Sequence, residues 1–221
     1  MEFLSIFIAV ISAFALNNWN ENRRDRHAEY NILAEISNGL QKDIQDIQNN
    51  AKGHRFGMDA CTYWRQIIQN EAIDYDLLPQ QYIRLTRDFI SVQNRSGYET
   101  LKSRGLELIK DDSLRLQIIT LYEYDYNTLR KMEEEYRELQ LHQSYYRGIN
   151  EIISPHLIFD NMGELKGIQT PLKLRKAEQK RMLSFLWKIN LNRKFILGFY
   201  GEIEKKVERL NKLVSKKLSS R

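Results

Sequence analysis

The sequence predicts an all-α protein in which an N-terminal transmembrane helix continues into a long-helix antiparallel bundle. The 221 residues include only three prolines and ten glycines, a composition typical of long helices and poor in the turn residues of an all-β fold. Apolar residues recur at helical spacing along most of the chain, without strand-like alternation of useful length. With 42% apolar and 29% charged residues, the bulk of the chain is expected to fold in water.

The transmembrane helix is expected at residues 1–20 and the helical bundle at residues 21–221. Residues 3–16 (FLSIFIAVISAFAL) contain no charged side chain. As a helix, residues 2–19 would rise about 27 Å, close to the roughly 30 Å of a bilayer's hydrocarbon core. The residues that follow suit a membrane interface: they are Asn17, Asn18, Trp19, Arg23, Arg24 and Arg26.

Two other interpretations of this first segment remain open. The sequence Ala13-Phe14-Ala15 resembles the cleavage site of a signal peptide, although Glu2 stands where a basic region would precede one. The apolar run is also short enough to be a buried helix of a soluble core.

One face of the predicted transmembrane helix carries small side chains. At 100° per residue, Ser5, Ala9, Ser12 and Ala13 fall on one face, and phenylalanines fall nearly opposite. Small residues allow helices to approach closely in a bilayer, where no hydrophobic force drives them together. The pattern therefore predicts a homo-oligomer with its phenylalanines toward lipid.

The flanking charges predict the orientation. No Lys or Arg precedes the apolar run, and three arginines follow it within ten residues. The positive-inside rule then places the soluble domain in the cytoplasm of a single-pass inner-membrane protein. A periplasmic domain, with the opposite topology, is the alternative.

The body of the chain shows two long apolar patterns at helical spacing. Residues 32–47 continue the first helix, which Gly53 and Gly57 are expected to interrupt. A second long helix is expected over residues 112–153, begun by an aspartate cap and ended by a Ser-Pro pair.

A loop is expected near residues 154–170, followed by a basic C-terminal helix at residues 171–218. Thr170 is the predicted N-cap, with Pro171 in the first helical position. Residues 173–221 hold 15 Lys or Arg against four Glu, which favours contact with anionic lipid, RNA or an RNA-guided effector. The alternative is that this helix packs on the chain's own acidic stretch at residues 133–138.

Two segments resemble an uncharacterised bacterial family of single-pass membrane proteins. The membrane-exit motif Asn-Asn-Trp-Asn-Glu stands at residues 17–21, and Tyr-Glu-Thr-Leu-Lys-Ser stands at residues 98–103. Leu-Ile at 108–109 and Leu-Arg at 114–115 extend the likeness. The resemblance implies the single-pass architecture and no particular activity. Members often carry a basic stretch before the span, which this chain lacks.

One pair of residues suggests a catalytic function. Arg137 and His142 form an Arg-x4-His pattern that resembles the RNA-cleaving motif of HEPN domains and of HEPN-like CRISPR accessory membrane proteins. There the histidine serves as acid or base and the arginine stabilises phosphate charge. On a regular helix, however, side chains five residues apart lie about 140° apart, so a structural role is the alternative.

No other catalytic centre, metal site or small-molecule cofactor is predicted. His27, His54 and His156 are scattered, without a second ligand at metal-binding spacing, and Cys61 is the sole cysteine. We therefore expect a membrane-anchored homo-oligomer acting as a scaffold, a gate or a membrane-perturbing effector, such as a pore former in antiviral defence. The alternatives are a membrane-tethered HEPN-like RNA-binding or RNA-cleaving protein and a periplasmic helical sensor.

Overall fold

The computed structural model describes residues 2–220, with side chains from Ile6 to Ser220, and over this range the chain is mostly helical. The all-α prediction is confirmed at this level. The described α-helices are α1 (Glu2–Ile68), α2 (Leu78–Thr86), α3 (Ser96–Arg104), α4 (Asp112–Ile119), α5 (Tyr126–Glu135), α6 (Arg147–Ile153) and α7 (Lys176–Ser219).

The loop expected near residues 154–170 contains a small β-hairpin. Strand β1 (Leu157–Phe159) pairs antiparallel with β2 (Leu165–Ile168), and Leu157 lies opposite Ile168. Strands of three and four residues are too short to show a recognisable alternation of polar and apolar residues. The hairpin was therefore not predictable from the pattern.

The last helix begins at Lys176, so the expectation that Thr170 and Pro171 start it was wrong. Arg175 precedes the helix, and its backbone N–H donates to the Glu178 carboxylate at 3.0 Å. A glutamate three residues into a helix that accepts from the N-cap N–H is half of a capping box. This carboxylate, rather than the proline, marks where α7 begins.

Helix α1 continues through Gly53 and Gly57, which were expected to interrupt it. A Cβ atom at Gly53 would overlap the Phe89 ring, and one at Gly57 would overlap the Arg193 guanidinium. Since both neighbours approach the helix backbone, the two glycines provide space for them. Their role is in packing and not in ending the helix.

The single helix expected over residues 112–153 is interrupted after α5. Residues 136–140 are non-helical, and a short π-helical segment (His142–Tyr146) then leads into α6. The Asp88 carboxylate accepts the backbone N–H groups of Leu141, at 2.6 Å, and His142, at 3.3 Å. This side chain caps the second half and so stabilises the break.

The described chain divides into two compact units. Unit 1 comprises the described residues within Met1–Asp43, Gln93–Tyr124 and Lys206–Arg221, and unit 2 comprises Ile44–Val92 and Asp125–Lys205. Both α1 and α7 contribute residues to each unit. The core of unit 2 includes Trp64, Leu78, Leu85, Ile149, Ile153, Met182 and Ile189.

The core of unit 1 is centred on a close approach of α3 to α1. A Cβ atom at Gly97 would lie 2.8 Å from the backbone nitrogen of Ile36, so only glycine fits there. The Tyr98 ring stacks on the Tyr122 ring with 4.6 Å between centroids. The buried Asp43 carboxylate accepts the Asn94 N–H at 2.6 Å.

The first turns of α1 are exposed in the structure. Every described side chain from Ile6 to Leu16 is exposed, so the alternative of a helix buried in the chain's own core is not supported. None of the helices in the described residues is both long and apolar enough to cross a bilayer. The predicted transmembrane span therefore gains no support from the structure.

Replacing Gly57 by alanine should destabilise the protein, although alanine is the better helix former by about 1 kcal/mol. The new methyl group would displace the Arg193 guanidinium, and overpacking of this kind costs about 1–3 kcal/mol. Urea unfolding followed by circular dichroism measures the change in the free energy of unfolding.

Gly201→Ala is the matched control, because nothing lies within 4 Å of a Cβ atom at that position of α7. It should raise the free energy of unfolding by up to ~1 kcal/mol. Equal effects of the two substitutions would contradict the packing role of Gly57.

Candidate functional site

Three sets of residues are candidates for function. The first is the exposed apolar segment of α1, residues 6–19. The second is a buried polar centre in unit 2, defined here as His54, Asp88, Glu133, Arg193 and Tyr200. The third is the Arg137–His142 pair.

The apolar segment presents large hydrophobic side chains around most of the helix. The large apolar side chains between Ile6 and Leu16 are 48% to 68% exposed, and Trp19 is 55% exposed. The Arg23 guanidinium lies 5.8 Å from the centre of the Trp19 ring, a cation–π distance. Monomeric soluble proteins rarely leave so continuous an apolar surface uncovered, so this segment is a candidate contact surface.

The residues predicted to pack between copies lie on this segment. Ala9, Ser12 and Ala13 are exposed, and the side chain of Ser5 lies outside the described residues. The interface residues Asn17, Asn18, Arg24 and Arg26 are exposed as well. Self-association and lipid contact stay predictions at these positions.

The polar centre is built around Arg193, whose side chain is fully buried. Its Nη2 donates to the carbonyl oxygens of Arg84, Leu85 and Arg87 at 3.0 to 3.1 Å. These carbonyls stand at the C-terminal end of α2, where a helix dipole favours a cation. Burial lowers the pKa of Arg193 to about 10, so the guanidinium remains charged at neutral pH.

His54 lies beside Arg193 on α1. Its Nδ1 accepts from Arg193 Nη1 at 3.1 Å, which assigns the imidazole proton to Nε2. The ring contacts Phe89 and Tyr200, with centroid distances of 5.2 and 5.6 Å. Burial, and then the Arg193 charge, lower the pKa of His54 to about 3, so this histidine is neutral at physiological pH.

Glu133 forms the acidic side of the polar centre. Its carboxylate accepts the Tyr200 hydroxyl and the backbone N–H of Ser91, the latter at 3.2 Å. The Ser91 hydroxyl in turn donates to Asp46 at 2.7 Å. Burial outweighs these hydrogen bonds and raises the pKa of Glu133 to about 7. This carboxyl therefore titrates near neutral pH.

The polar centre borders a cavity of about 10 Å³ that is also lined by Leu139, Leu141 and Asn192. This volume is about that of one water molecule, so the cavity excludes an organic substrate. Two buried donors, His54 Nε2 and Arg193 Nε, have no hydrogen-bond partner among the described residues. The same residues contain no group of acids, histidines and cysteines that could hold a metal ion.

The Arg137–His142 pair is not brought together. Arg137 is exposed in the turn after α5, whereas His142 begins the π-helical segment and stacks on Tyr146 at 4.5 Å between centroids. No hydrogen bond or ring contact joins the two side chains in the part of the chain that the structure describes. A catalytic role for this pair stays a prediction.

Sequence reasoning missed the polar centre. Arg193 stands between Asn192 and Lys194 in α7, where a charged side chain is expected to face solvent, and His54 was considered only as a metal ligand. The available signal was the pair of glycines at 53 and 57, four residues apart on one face of α1. Such a pair on a helix indicates close approach of a large neighbour, here Phe89 and Arg193.

Comparisons with protein-family models, with curated proteins and with solved structures give no match. The likeness to a family of single-pass proteins therefore stays a prediction. Its central residues have packing roles in unit 1: Tyr98, Leu101, Ile109 and Leu114 are buried. Arg115 Nη1 donates to the Ile109 carbonyl at 2.9 Å.

Replacing Glu133 by glutamine should change the pH dependence of stability. A carboxyl whose pKa rises from 4.5 to about 7 on folding imposes no penalty below pH 4.5. The penalty grows as the pH rises, and above pH 7 it is on the order of 3 kcal/mol. The gain in unfolding free energy on Glu133→Gln should therefore increase from pH 4.5 to pH 8 in urea titrations.

The exposed neighbour Glu135 provides the control. Glu135→Gln removes the same charge from an exposed position, so it is the reference against which the pH dependence of Glu133→Gln is measured. A gain for Glu133→Gln that is larger at pH 4.5 than at pH 8 would mean that the carboxyl is stabilising in its ionised form.

Proposed function

We propose that this protein is a membrane-anchored helical scaffold that self-associates through its N-terminal segment. The observation that carries the proposal is the uninterrupted exposed apolar surface of α1, residues 6–16. It leads within three residues to an exposed tryptophan with an arginine over its ring. An indole beside arginines is the arrangement expected at a headgroup layer.

Lipid is the environment that best suits this surface. Burying one large apolar side chain contributes about 1.5–3 kcal/mol, and seven such side chains are exposed between Ile6 and Leu16. Their distribution around most of the helix matches a bilayer better than a single protein groove, which would cover one stripe. Residues 1–20 are proposed as a single transmembrane pass, with the body in the cytoplasm because the arginines follow the apolar run.

The body supports a scaffold role more than an enzymatic one. The polar centre encloses about 10 Å³, and its buried groups contact one another rather than a cleft. Copies would pack side by side through the face of Ser5, Ala9, Ser12 and Ala13, where small side chains allow close approach. A gate or a pore would require these helices to enclose a channel.

Flotation of the full-length protein with phosphatidylcholine–phosphatidylglycerol vesicles tests the anchor. The protein should float and resist extraction at alkaline pH, because apolar burial does not depend on charge. Val10→Glu combined with Phe14→Glu should abolish flotation. Ile83→Glu, at an exposed apolar position of α2, is the control and should float normally. A parent protein that stays in the aqueous fraction would refute membrane anchoring.

Substitutions on the small face test self-association separately. Ala9→Phe should block close approach of the helices and lower the oligomer's mass in detergent, measured by light scattering, while flotation persists. Ile11→Phe, on the opposite side of α1, should leave the mass unchanged. A parent protein that is monomeric at micromolar concentration would contradict the self-association, and conductance across planar bilayers would distinguish a pore from a scaffold.

A further inference from the structure

A second apolar surface lies on α7, within unit 2. Trp187, Leu191 and Phe195 are 64%, 50% and 56% exposed. They are spaced four residues apart, so they form one stripe on the helix. The opposite side of the same turns is already packed in the core, through Met182, Ile189, Ile196 and Tyr200.

This part of α7 is therefore apolar on both sides. A helix with large apolar side chains on two opposite faces normally packs through both of them, whereas the outer face here is exposed to solvent. The chain provides no cover for the three residues of the stripe within its described part. Some other molecule is needed to bury them.

The stripe extends in a pattern that is nearly symmetric about Leu191. At four residues on either side stand the aromatic Trp187 and Phe195, and at seven residues the small Ser184 and Gly198. Nothing lies within 4 Å of a Cβ atom at Gly198, so a neighbouring helix can approach there. Offsets of 4, 7 and 11 residues keep all these positions on one face.

The ends of the pattern carry opposite charges. Eleven residues before Leu191 stands Lys180, and eleven residues after it stands Glu202; both are exposed. Glu202 contacts Lys205 of its own helix at 2.9 Å, and this exposed pair can open at little cost. A parallel pair of α7 helices would set like charges against each other, whereas an antiparallel pair sets Lys180 against Glu202.

We infer that a second copy of this chain docks on the outer face of α7 in an antiparallel arrangement centred on Leu191. In this register the two Leu191 side chains meet on the two-fold axis. Phe195 lies opposite Trp187 of the other copy, and Gly198 lies opposite Ser184. Such self-complementarity is what an isologous two-fold interface requires. Because α7 runs antiparallel to the continuous helix α1, this pair directs the two N-terminal segments in opposite directions. It therefore joins copies other than those that pack side by side in one bilayer. The inference goes beyond the proposed function, and its test does not require the membrane anchor.

Cysteine cross-linking of the full-length protein in detergent tests the register. Leu191→Cys should form a disulfide-linked dimer under mild oxidation. Mixing differently tagged Trp187→Cys and Phe195→Cys chains should give the mixed dimer. Trp187→Cys alone should not cross-link, because its two copies would lie about 12 Å apart along the axis, beyond disulfide reach. A parallel pair would give the reverse result and refute the arrangement.

The controls separate this interface from other contacts. The parent protein should not cross-link, because burial raises the pKa of its single thiol, Cys61, to about 12. Ile83→Cys, exposed on α2, should not cross-link either. The same detergent samples report on α7 whether or not the apolar segment of α1 binds vesicles. Absence of the Leu191→Cys dimer would overturn the inference, including the case in which lipid covers the stripe.

A charge exchange provides an independent test. Lys180→Glu and Glu202→Lys should each slow dimer formation by Leu191→Cys several-fold, because each sets like charges together. The double exchange should restore the rate. Equal rates in all four proteins would exclude this pairing of the helix ends.

Discussion

The packing of unit 2 depends on one buried charge. A fully buried guanidinium is tolerated only if its donors find acceptors and its charge meets a favourable field. Arg193 meets both conditions at the C-terminal end of α2, whose carbonyls are left without partners by the helix itself. Gly57 then becomes obligatory, because the guanidinium occupies the space that a side chain on α1 would need. Three helices are thus held in register by one ionic side chain.

The same arrangement determines the behaviour of its neighbours. His54 cannot take up a proton easily beside the Arg193 cation in a buried site, and Glu133 cannot lose its proton easily without water. The cost of burying the histidine grows as the pH falls from 6.5 toward 3, and the cost of burying the glutamate grows as the pH rises from 4.5 to about 7. The two costs overlap between pH 4.5 and pH 6.5, because both groups are buried in one core.

Helical periodicity predicted more of the fold than of the candidate site. The mostly helical architecture and the buried positions in residues 32–47 of α1 followed from spacing, because core-facing residues must recur every three or four positions. The break after α5 did not, since it depends on the Asp88 carboxylate reaching Leu141 from a distant part of the chain. The end of α2 likewise receives Arg193 from more than 100 residues away. Contacts between residues so far apart along the chain leave no pattern in the local sequence.

Helix α1 is continuous from Glu2 to Ile68, so its exposed apolar turns and its packed turns share one rotational phase. Inserting a single residue between them, near Arg26, would rotate the small-residue face of the first segment by about 100° relative to the core-facing side of α1. Four inserted residues would rotate it by about 400°, which returns it to within about 40° of its original direction. Only insertions close to whole turns, such as four or seven residues, therefore keep this face in its present direction, whichever residues are inserted.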